Sequence, residues 1–334
     1  MISDQVILIT GGTGSFGQKM TEILCRQWRP RKVIIYSRDE YKQFTMRKRL
    51  EAHAATLRFF LGDVRDRNRL YRALDGVDIV VHAAALKQVP ALEYNPIEAV
   101  RTNIHGAENL IDAAIDRGVK KVVALSTDKA VYPVNLYGST KMVSDRLFLS
   151  ANAYVGAKHT RFSVVRYGNV IGSRGSVLPF FRSLLNRGDD RLPVTDLRMT
   201  RFWITREDSA AMVIKAIERG RGAEIFVPKI PSFKIIDMVK ALSKTAQAVE
   251  VGIREGEKLH EFLITEEEAR TTYDYGDHYV VYPQFKWWNL DSHFIPDGTR
   301  VGGDFCYASH TNDQWLGVDD IRRCLAELGD DSDG

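Results

Sequence analysis

The chain has 334 residues, 44% of them hydrophobic and 27% charged, with a net charge of +4. That is the profile of an ordinary soluble globular protein, long enough for one large α/β domain or two smaller ones. The weak positive charge gives no ground for a nucleic-acid partner, and no apolar run approaches the roughly 18 residues of a membrane-spanning helix.

Three cysteines, Cys25, Cys306 and Cys324, are odd in number and lack CxxC spacing, which argues against a disulfide framework or a zinc site. No metal is expected. The N-terminus, MISDQVILIT, has neither a basic leader nor a small-residue cleavage site, so cytoplasmic residence is the default expectation. The stretch YKQFTMRKRLEAH reads as the solvated face of a helix, and GDDSDG at 329–334 as a disordered tail.

In chain order, VILIT (6–10), KVIIY (32–36), LRFFL (57–61), DIVVHAA (78–84), KVVALS (121–126) and RFSVVRYG (161–168) read as buried strands. Helical patterns fill most gaps between them, and this β-α-β rhythm predicts an α/β fold with a doubly wound parallel sheet. After about residue 170 the rhythm breaks into mixed α/β, with strands at EIFVP and AVEVGI and helices near 205–219 and 234–245. The simplest division is a dinucleotide-binding half over 1–170 and a smaller substrate-binding region over 171–328. The chain is free to cross between them more than once.

VILITGGTGSFGQKM places Gly11, Gly12, Gly14 and Gly17 directly after the first strand and at the start of a helix. Glycines let the backbone turn tightly and approach a pyrophosphate, and the helix N-terminus supplies N–H donors. Gly11, Thr13, Gly14, Ser15, Phe16 and Gly17 are therefore predicted to hold a dinucleotide in a Rossmann-type fold. The second strand ends in YSRDE, where an acid selects NAD and an arginine accommodates the 2′-phosphate of NADP. Ser37 and Arg38, with Lys42 one turn later, favour NADP; Asp39 argues the other way.

GDVRD offers Asp63 and Val64 to the adenine. HAAALK places Ala83, Ala84 and Ala85 where bulk would block the cofactor, although plain strand-to-helix packing explains small residues equally well. Lys87 then points toward phosphate or substrate. Asn103 in RTNIHG serves either the active site or a turn.

ALSTDKAVYPVNLYGSTK (124–141) carries the chemistry. Tyr137 and Lys141, four apart, share one helix face, and a nearby ammonium favours the phenolate that exchanges a proton with a sugar hydroxyl. YxxxK after a fifth strand of a dinucleotide-binding fold resembles the short-chain dehydrogenase/reductase superfamily. The glycine pattern and chain length are similar to its extended branch, which acts largely on nucleotide sugars. Asp128 and Lys129 supply what a 4-epimerase does not need and a 4,6-dehydratase does: a base for the carbon 5 proton and an acid for the carbon 6 hydroxyl. For Lys129 to be that base its pKa must fall by about three units, through desolvation and the neighbouring Lys141.

VRYGNVIGSRGSVLPFF, RMTRFWIT, EIFVPKIPS, GIREGEKLHE and ASHTNDQWL, together with these motifs, closely resemble the inverting UDP-N-acetylglucosamine 4,6-dehydratases that begin pseudaminic acid biosynthesis. The resemblance runs from about residue 4 to about residue 325. Relatives of the dTDP-glucose type carry Asp-Glu where this chain has Asp128-Lys129. Longer membrane-anchored relatives share TDKA but commonly have Met at the position of Tyr137.

The resemblance implies NADP, a UDP-N-acetylglucosamine substrate and a homo-oligomer, a dimer or a hexamer. It implies Lys129 as base at carbon 5, Asp128 as acid at carbon 6, Tyr137 with Lys141 at carbon 4, and Thr127 on the sugar. Asn169 through Val177, including Val170, Ile171, Gly172, Ser173 and Arg174, would line the nicotinamide and uridine diphosphate. Arg254 and Glu257 would hold diphosphate and ribose, and guanidinium forks suit phosphate oxygens. Arg201 and Thr195 are weaker substrate candidates. His260 reads as a packed helix residue, and Trp287, Trp288 and Trp315 as core or interface.

Overall fold

The computed structural model describes residues 2–173, 176–284 and 297–327. Arg174, Trp287, Trp288, most of the segment 282–300 and the tail 329–334 lie outside the described residues.

The aliphatic runs form strands because branched side chains pack on a pleated surface from both faces. β1 (Val6–Thr10), β2 (Lys32–Ser37), β3 (Leu57–Leu61), β4 (Ile79–His82), β5 (Lys121–Thr127) and β6 (Arg161–Tyr167) pair in parallel in the order 3-2-1-4-5-6. That is the Rossmann order, and it reverses between β1 and β4, where such sheets open a crevice at their C-terminal edge. Every residue of β1 is buried, as a central strand requires.

Beyond residue 170 come β7 (Arg191–Val194), β8 (Thr200–Phe202), β9 (Ile225–Pro228), β10 (Ser232–Lys234), β11 (Gln247–Glu250), β12 (Phe262–Ile264), β13 (Thr272–Asp274), β14 (His278–Val281), β15 (Thr299–Arg300) and β16 (Tyr307–Ala308). Four of these return to the large sheet. β9 lies parallel to β6, and β14, β13 and β15 continue antiparallel to a ten-stranded edge. The break near residue 170 therefore marks where the chain first leaves the sheet, and the two halves interleave.

The remaining strands pair off as β8 with β10, β7 with β11 and β12 with β16. They surround a second apolar core that includes Ile171, Leu178, Phe181, Leu192, Phe233, Met238 and Ile321. The first core lies on both faces of the large sheet. The cleft between these cores opens over the C-terminal ends of β1, β4, β5 and β6.

A buried ion pair ties the halves together. Arg166 of β6 makes a two-pronged contact with Glu268 at 2.9–3.1 Å and donates to the Leu263 carbonyl of β12 at 2.9 Å. Glu268 also completes a capping box with Thr265, so its carboxylate is held from both sides. Among the described residues no helix is long and apolar enough to cross a membrane.

Candidate active site

The cleft encloses about 1310 Å³. That exceeds the roughly 300–1,000 Å³ of a typical small-molecule pocket and suits two ligands end to end. The glycine loop forms its floor. Gly11 has φ +64°, and a methyl group there would sit 2.8 Å from the Ala83 carbonyl oxygen; one on Gly17 would reach the Gly12 Cα at 2.6 Å. The helix Ser15–Ile23 starts at Gly14 with no side chain capping its first turn, which leaves N–H donors directed at the cleft. Thr10 Oγ1 pairs with His82 at 2.8 Å and accepts from the Ala83 and Ala84 N–H groups at 3.2 Å, pinning β4 to β1 at the crevice. These residues fit a dinucleotide.

Gly11, Thr13, Gly14, Ser15, Phe16, Gly17, Ser37, Arg38, Asp39, Lys42, Asp63, Val64, Ala83 and Lys87 all line this cleft. Their side chains are not equally free. Asp39 caps the helix Glu40–Arg49, accepting from the Lys42 N–H at 2.9 Å, and pairs with the Lys42 ammonium at 3.1 Å. Asp63 is taken up by Arg65 at 2.7–2.9 Å and by Arg38 at 3.5 Å. Arg38 keeps 52% of its side chain exposed. Asn103 settles as a buried strut, bonding both backbone groups of Leu86 and the Thr140 hydroxyl at 2.9–3.0 Å.

The reactive groups meet where β5 ends. Thr127 closes the strand and Asp128–Ala130 form a 3₁₀ turn, which packs on the helix Leu136–Ala151. Gly138 makes that packing close: a methyl group there would lie 2.1 Å from the Lys129 carbonyl oxygen. Asp128 is fully buried; its Oδ1 accepts from Thr127 at 3.0 Å and from the Lys129 ammonium at 3.1 Å, and its Oδ2 has no partner. Lys129 also donates to Asn169 Oδ1 at 2.9 Å and lies 3.5 Å from Glu261.

Glu261 has no counterpart in the sequence reading, and it changes the electrostatics. Burial opposes the Lys129 ammonium, but Asp128 and Glu261 outweigh it and hold the lysine above its usual range. The expected lowering of Lys129 is not seen: the two carboxylates beside it favour its ammonium form, and Lys141 is not among its main influences. Burial and Glu261 raise Asp128 toward its neutral acid against the pull of Lys129 and Lys258. Burial acts against Glu261 too, yet Lys129, Arg201 and Lys258 hold it down at about 2. Two carboxylates on one lysine are thus driven apart.

Burial pushes Tyr137 up to about 12, opposed first by Lys129 and also by Thr127. The cation acting most on the phenol is Lys129 and not Lys141, a second correction. Lys141 is buried beside Asp145, and burial lowers it while Asp145 resists. Asp145 in turn accepts from Ser126. Loss of hydration, together with the Lys129 charge, lowers Lys87.

Val170, Ile171, Ser173, Asn169, Val177, Thr195, Arg201, Arg254 and Glu257 line the far half of the cleft. Gly172 sits just behind it at φ +71°, its carbonyl accepting from Arg206 at 3.1 Å. Arg254 is exposed at the rim. Thr195 spends its hydroxyl on the Met199 sulfur at 3.0 Å. Arg201 is buried and committed: it donates to the carbonyls of Thr200, Lys258 and Leu259 at 2.8–3.1 Å. It braces the loop and is not a free fork for phosphate. His260 lies in a bend and not in a helix, bonded to Thr200 at 2.9 Å and stacked on His310 at 4.2 Å. Trp315 is 40% exposed and donates to the Asn312 carbonyl at 2.6 Å, so it is not core.

The polysaccharide biosynthesis protein family matches residues 7–283. The chain belongs to that family. It is 51% identical over 320 residues to the inverting UDP-N-acetylglucosamine 4,6-dehydratase of Campylobacter jejuni, covering 94% of this chain and 95% of that one. It is 39% identical to a UDP-glucose 4-epimerase of Rickettsia canadensis, over 98% and 97% of the two chains. The X-ray structure of Pen from Bacillus thuringiensis superposes with a TM-score of 0.87 at 33% identity, covering 98% and 99%. DesIV, a dTDP-glucose 4,6-dehydratase from Streptomyces venezuelae solved with NAD bound, gives 0.69 at 25% identity over 76% and 86%. These neighbours place the fold among the extended short-chain dehydrogenase/reductases.

Gly138 in the YGSTK segment sets how closely the Asp128–Lys129 turn approaches the helix Leu136–Ala151. Gly138→Ala is expected to displace that turn by roughly 1 Å and lower turnover by about 10²-fold, the scale of such misplacements. Dinucleotide affinity, measured by calorimetry, should change little, since the glycine loop lies elsewhere. Wild-type turnover in Gly138→Ala would show that the close packing does not position the pair.

Proposed function

We propose that the protein is a nicotinamide-dependent UDP-N-acetylglucosamine 4,6-dehydratase that inverts carbon 5. Its product would be UDP-2-acetamido-2,6-dideoxy-β-L-arabino-hexos-4-ulose, the first intermediate of pseudaminic acid biosynthesis. The observation carrying this reading is Lys129 at the cleft wall with Tyr137, paired with the fully buried Asp128 behind it. The identity to the Campylobacter dehydratase supports it.

When bound, the nicotinamide would take hydride from carbon 4 of the sugar and return it at carbon 6. Tyr137 exchanges the proton of the carbon 4 hydroxyl, with Lys129 and Thr127 opposing the effect of burial on the phenol. Lys129 rests as an ammonium 3.1 Å from Asp128. One proton hop from Nζ to the carboxylate yields a free amine and a carboxylic acid together. The amine removes the carbon 5 proton, the carbon 5–carbon 6 double bond forms, and the carbon 6–oxygen bond breaks. Asp128 delivers its proton to the departing oxygen, which leaves as water. The pair ends as Lys129 ammonium and Asp128 carboxylate. Hydride return at carbon 6 would leave an enolate, whose carbon 5 takes a proton from solvent on the face opposite Lys129, and Tyr137 releases the carbon 4 hydroxyl proton to solvent.

Arg254 at the rim is the diphosphate partner in this reading, and Glu257 the ribose partner. Cytoplasmic residence and a homo-oligomer belong to the same proposal. The Rickettsia relatives support a second reading, a UDP-sugar 4-epimerase. It leaves the Asp128–Lys129 pair without a task. Proton NMR of the pure protein with UDP-N-acetylglucosamine decides between them. A new carbon 6 methyl doublet is expected; an epimerised sugar with no loss of water would overturn the dehydratase.

We further propose NADP as the cofactor. Asp39 is engaged with its helix and Lys42, while Arg38 keeps its guanidinium half exposed at the rim of the cleft. Arg38→Asp should weaken NADP binding about tenfold or more, the scale of a lost charge-assisted contact, and NAD binding far less. Equal losses for both would place the 2′-phosphate elsewhere.

A further inference from the structure

Glu261 is 2% exposed and stands among three cations. Its Oε1 lies 3.5 Å from Lys129 Nζ and 3.8 Å from Arg201 Nε, and its Oε2 lies 3.0 Å from Lys258 Nζ. Its backbone is held as well. Its N–H donates to Ser309 Oγ at 2.9 Å, and its carbonyl accepts from the Ser309 N–H at 2.8 Å. Lys258 donates to the carbonyls of Asp128 and Val131 at 3.1 and 2.8 Å, spanning the turn that carries the catalytic pair. Arg201 holds the carbonyls of Lys258 and Leu259. A loop some 130 residues downstream is thus locked onto the Asp128–Lys129 turn and delivers one fixed anion to it.

We infer that Glu261 is a positioning residue whose charge sets the pH range in which the Asp128–Lys129 pair eliminates water; this rests on the dehydratase reading above. The pair is active with one proton shared between its two members. A fixed anion beside both makes each hold its proton more tightly, so the one-proton state is reached at higher pH than it would be without Glu261. Lys258, a fixed cation on the other side of Glu261, acts in the opposite sense. The raised positions of Asp128 and Lys129 agree with this geometry.

The other charges facing the pair are few. Tyr137 comes from the helix Leu136–Ala151, Lys87 from the loop after β4, and Arg201 from β8, with Glu257 near Arg201 at 3.7 Å. Asn169 contributes only a neutral amide. His260 faces Arg201 and Arg198 on the outer side of the loop. None is an anion as close to Lys129 as Asp128 and Glu261.

The test is the pH profile of UDP-N-acetylglucosamine dehydration in the wild type, Glu261→Gln and Lys258→Met, with folding checked by thermal unfolding. In Glu261→Gln both limbs should move to lower pH, raising the ratio of rates at pH 6 and pH 9 about tenfold, the change given by a one-unit displacement. In Lys258→Met both limbs should move to higher pH and the ratio should fall. A purely structural role lowers the rate without moving either limb, and that result overturns the inference. So does a folded Glu261→Gln with no turnover at any pH, which would make Glu261 a direct participant. Should Glu261→Gln fail to fold, the sign of the Lys258→Met shift decides alone. A wild type that releases no water refutes the dehydratase reading itself, an outcome distinct from unmoved limbs in the variants.

Discussion

A lysine ammonium shared by two buried carboxylates is the constraint on which the site depends. Removing three charges from water is costly unless each finds partners of good geometry. Lys129 finds Asp128, Glu261 and Asn169, and Glu261 finds Lys258 and Arg201 as well. The surrounding loops serve this cluster. Arg201 and Lys258 spend their donors on backbone carbonyls that would otherwise be left bare in a buried bend. Asp128 Oδ2 is left without a hydrogen-bond donor in this cluster.

The parallel sheet makes this arrangement geometrically natural. Register between β5 and β6 sets Thr127 opposite Tyr167, so the turns following both strands emerge side by side over the cleft. One delivers Asp128 and Lys129, the other Asn169. The helix Leu136–Ala151 then presses Gly138 against the first turn, while its Asn135 cap donates to the Gly256 carbonyl at 2.7 Å and reaches the substrate-side loop. Arg166 of β6, three positions before Asn169, anchors β12 through the Leu263 carbonyl. Fold and chemistry are joined through backbone contacts more than through side-chain packing.

The six parallel strands and the glycine loop were legible because each is written locally: an aliphatic run, a turn, a helix start. The Asp128–Lys129 ion pair was legible for the same reason. Glu261 was not, since nothing in GEKLHEFL marks a residue that meets a turn 130 positions earlier. Its absence from the sequence reading is why Lys129 was expected to be lowered. His260 was expected in a helix by its neighbours' composition, but Arg201 takes the carbonyls that a helix would need there. Arg201 read as a weaker substrate candidate because sequence does not reveal which donors are already spent. Lys141 was expected to govern Tyr137 from spacing alone, without the competing Asp145 that faces it.

The central claim, that the Asp128–Lys129 pair performs the elimination as base and acid, is tested most directly at carbon 5. UDP-N-acetylglucosamine is incubated in deuterated water with Lys129→Ala and separately with Asp128→Asn, and carbon 5 of the recovered sugar is examined by NMR. The account predicts no deuterium at carbon 5 with Lys129→Ala, with dehydration slowed about 10²- to 10⁴-fold, the typical effect of losing a general base. It predicts that Asp128→Asn, with no carboxylate to receive the Lys129 proton, likewise exchanges carbon 5 far more slowly than the wild type and releases little water. Deuterium entering carbon 5 at near-normal rate in Lys129→Ala would contradict it and make the pair structural.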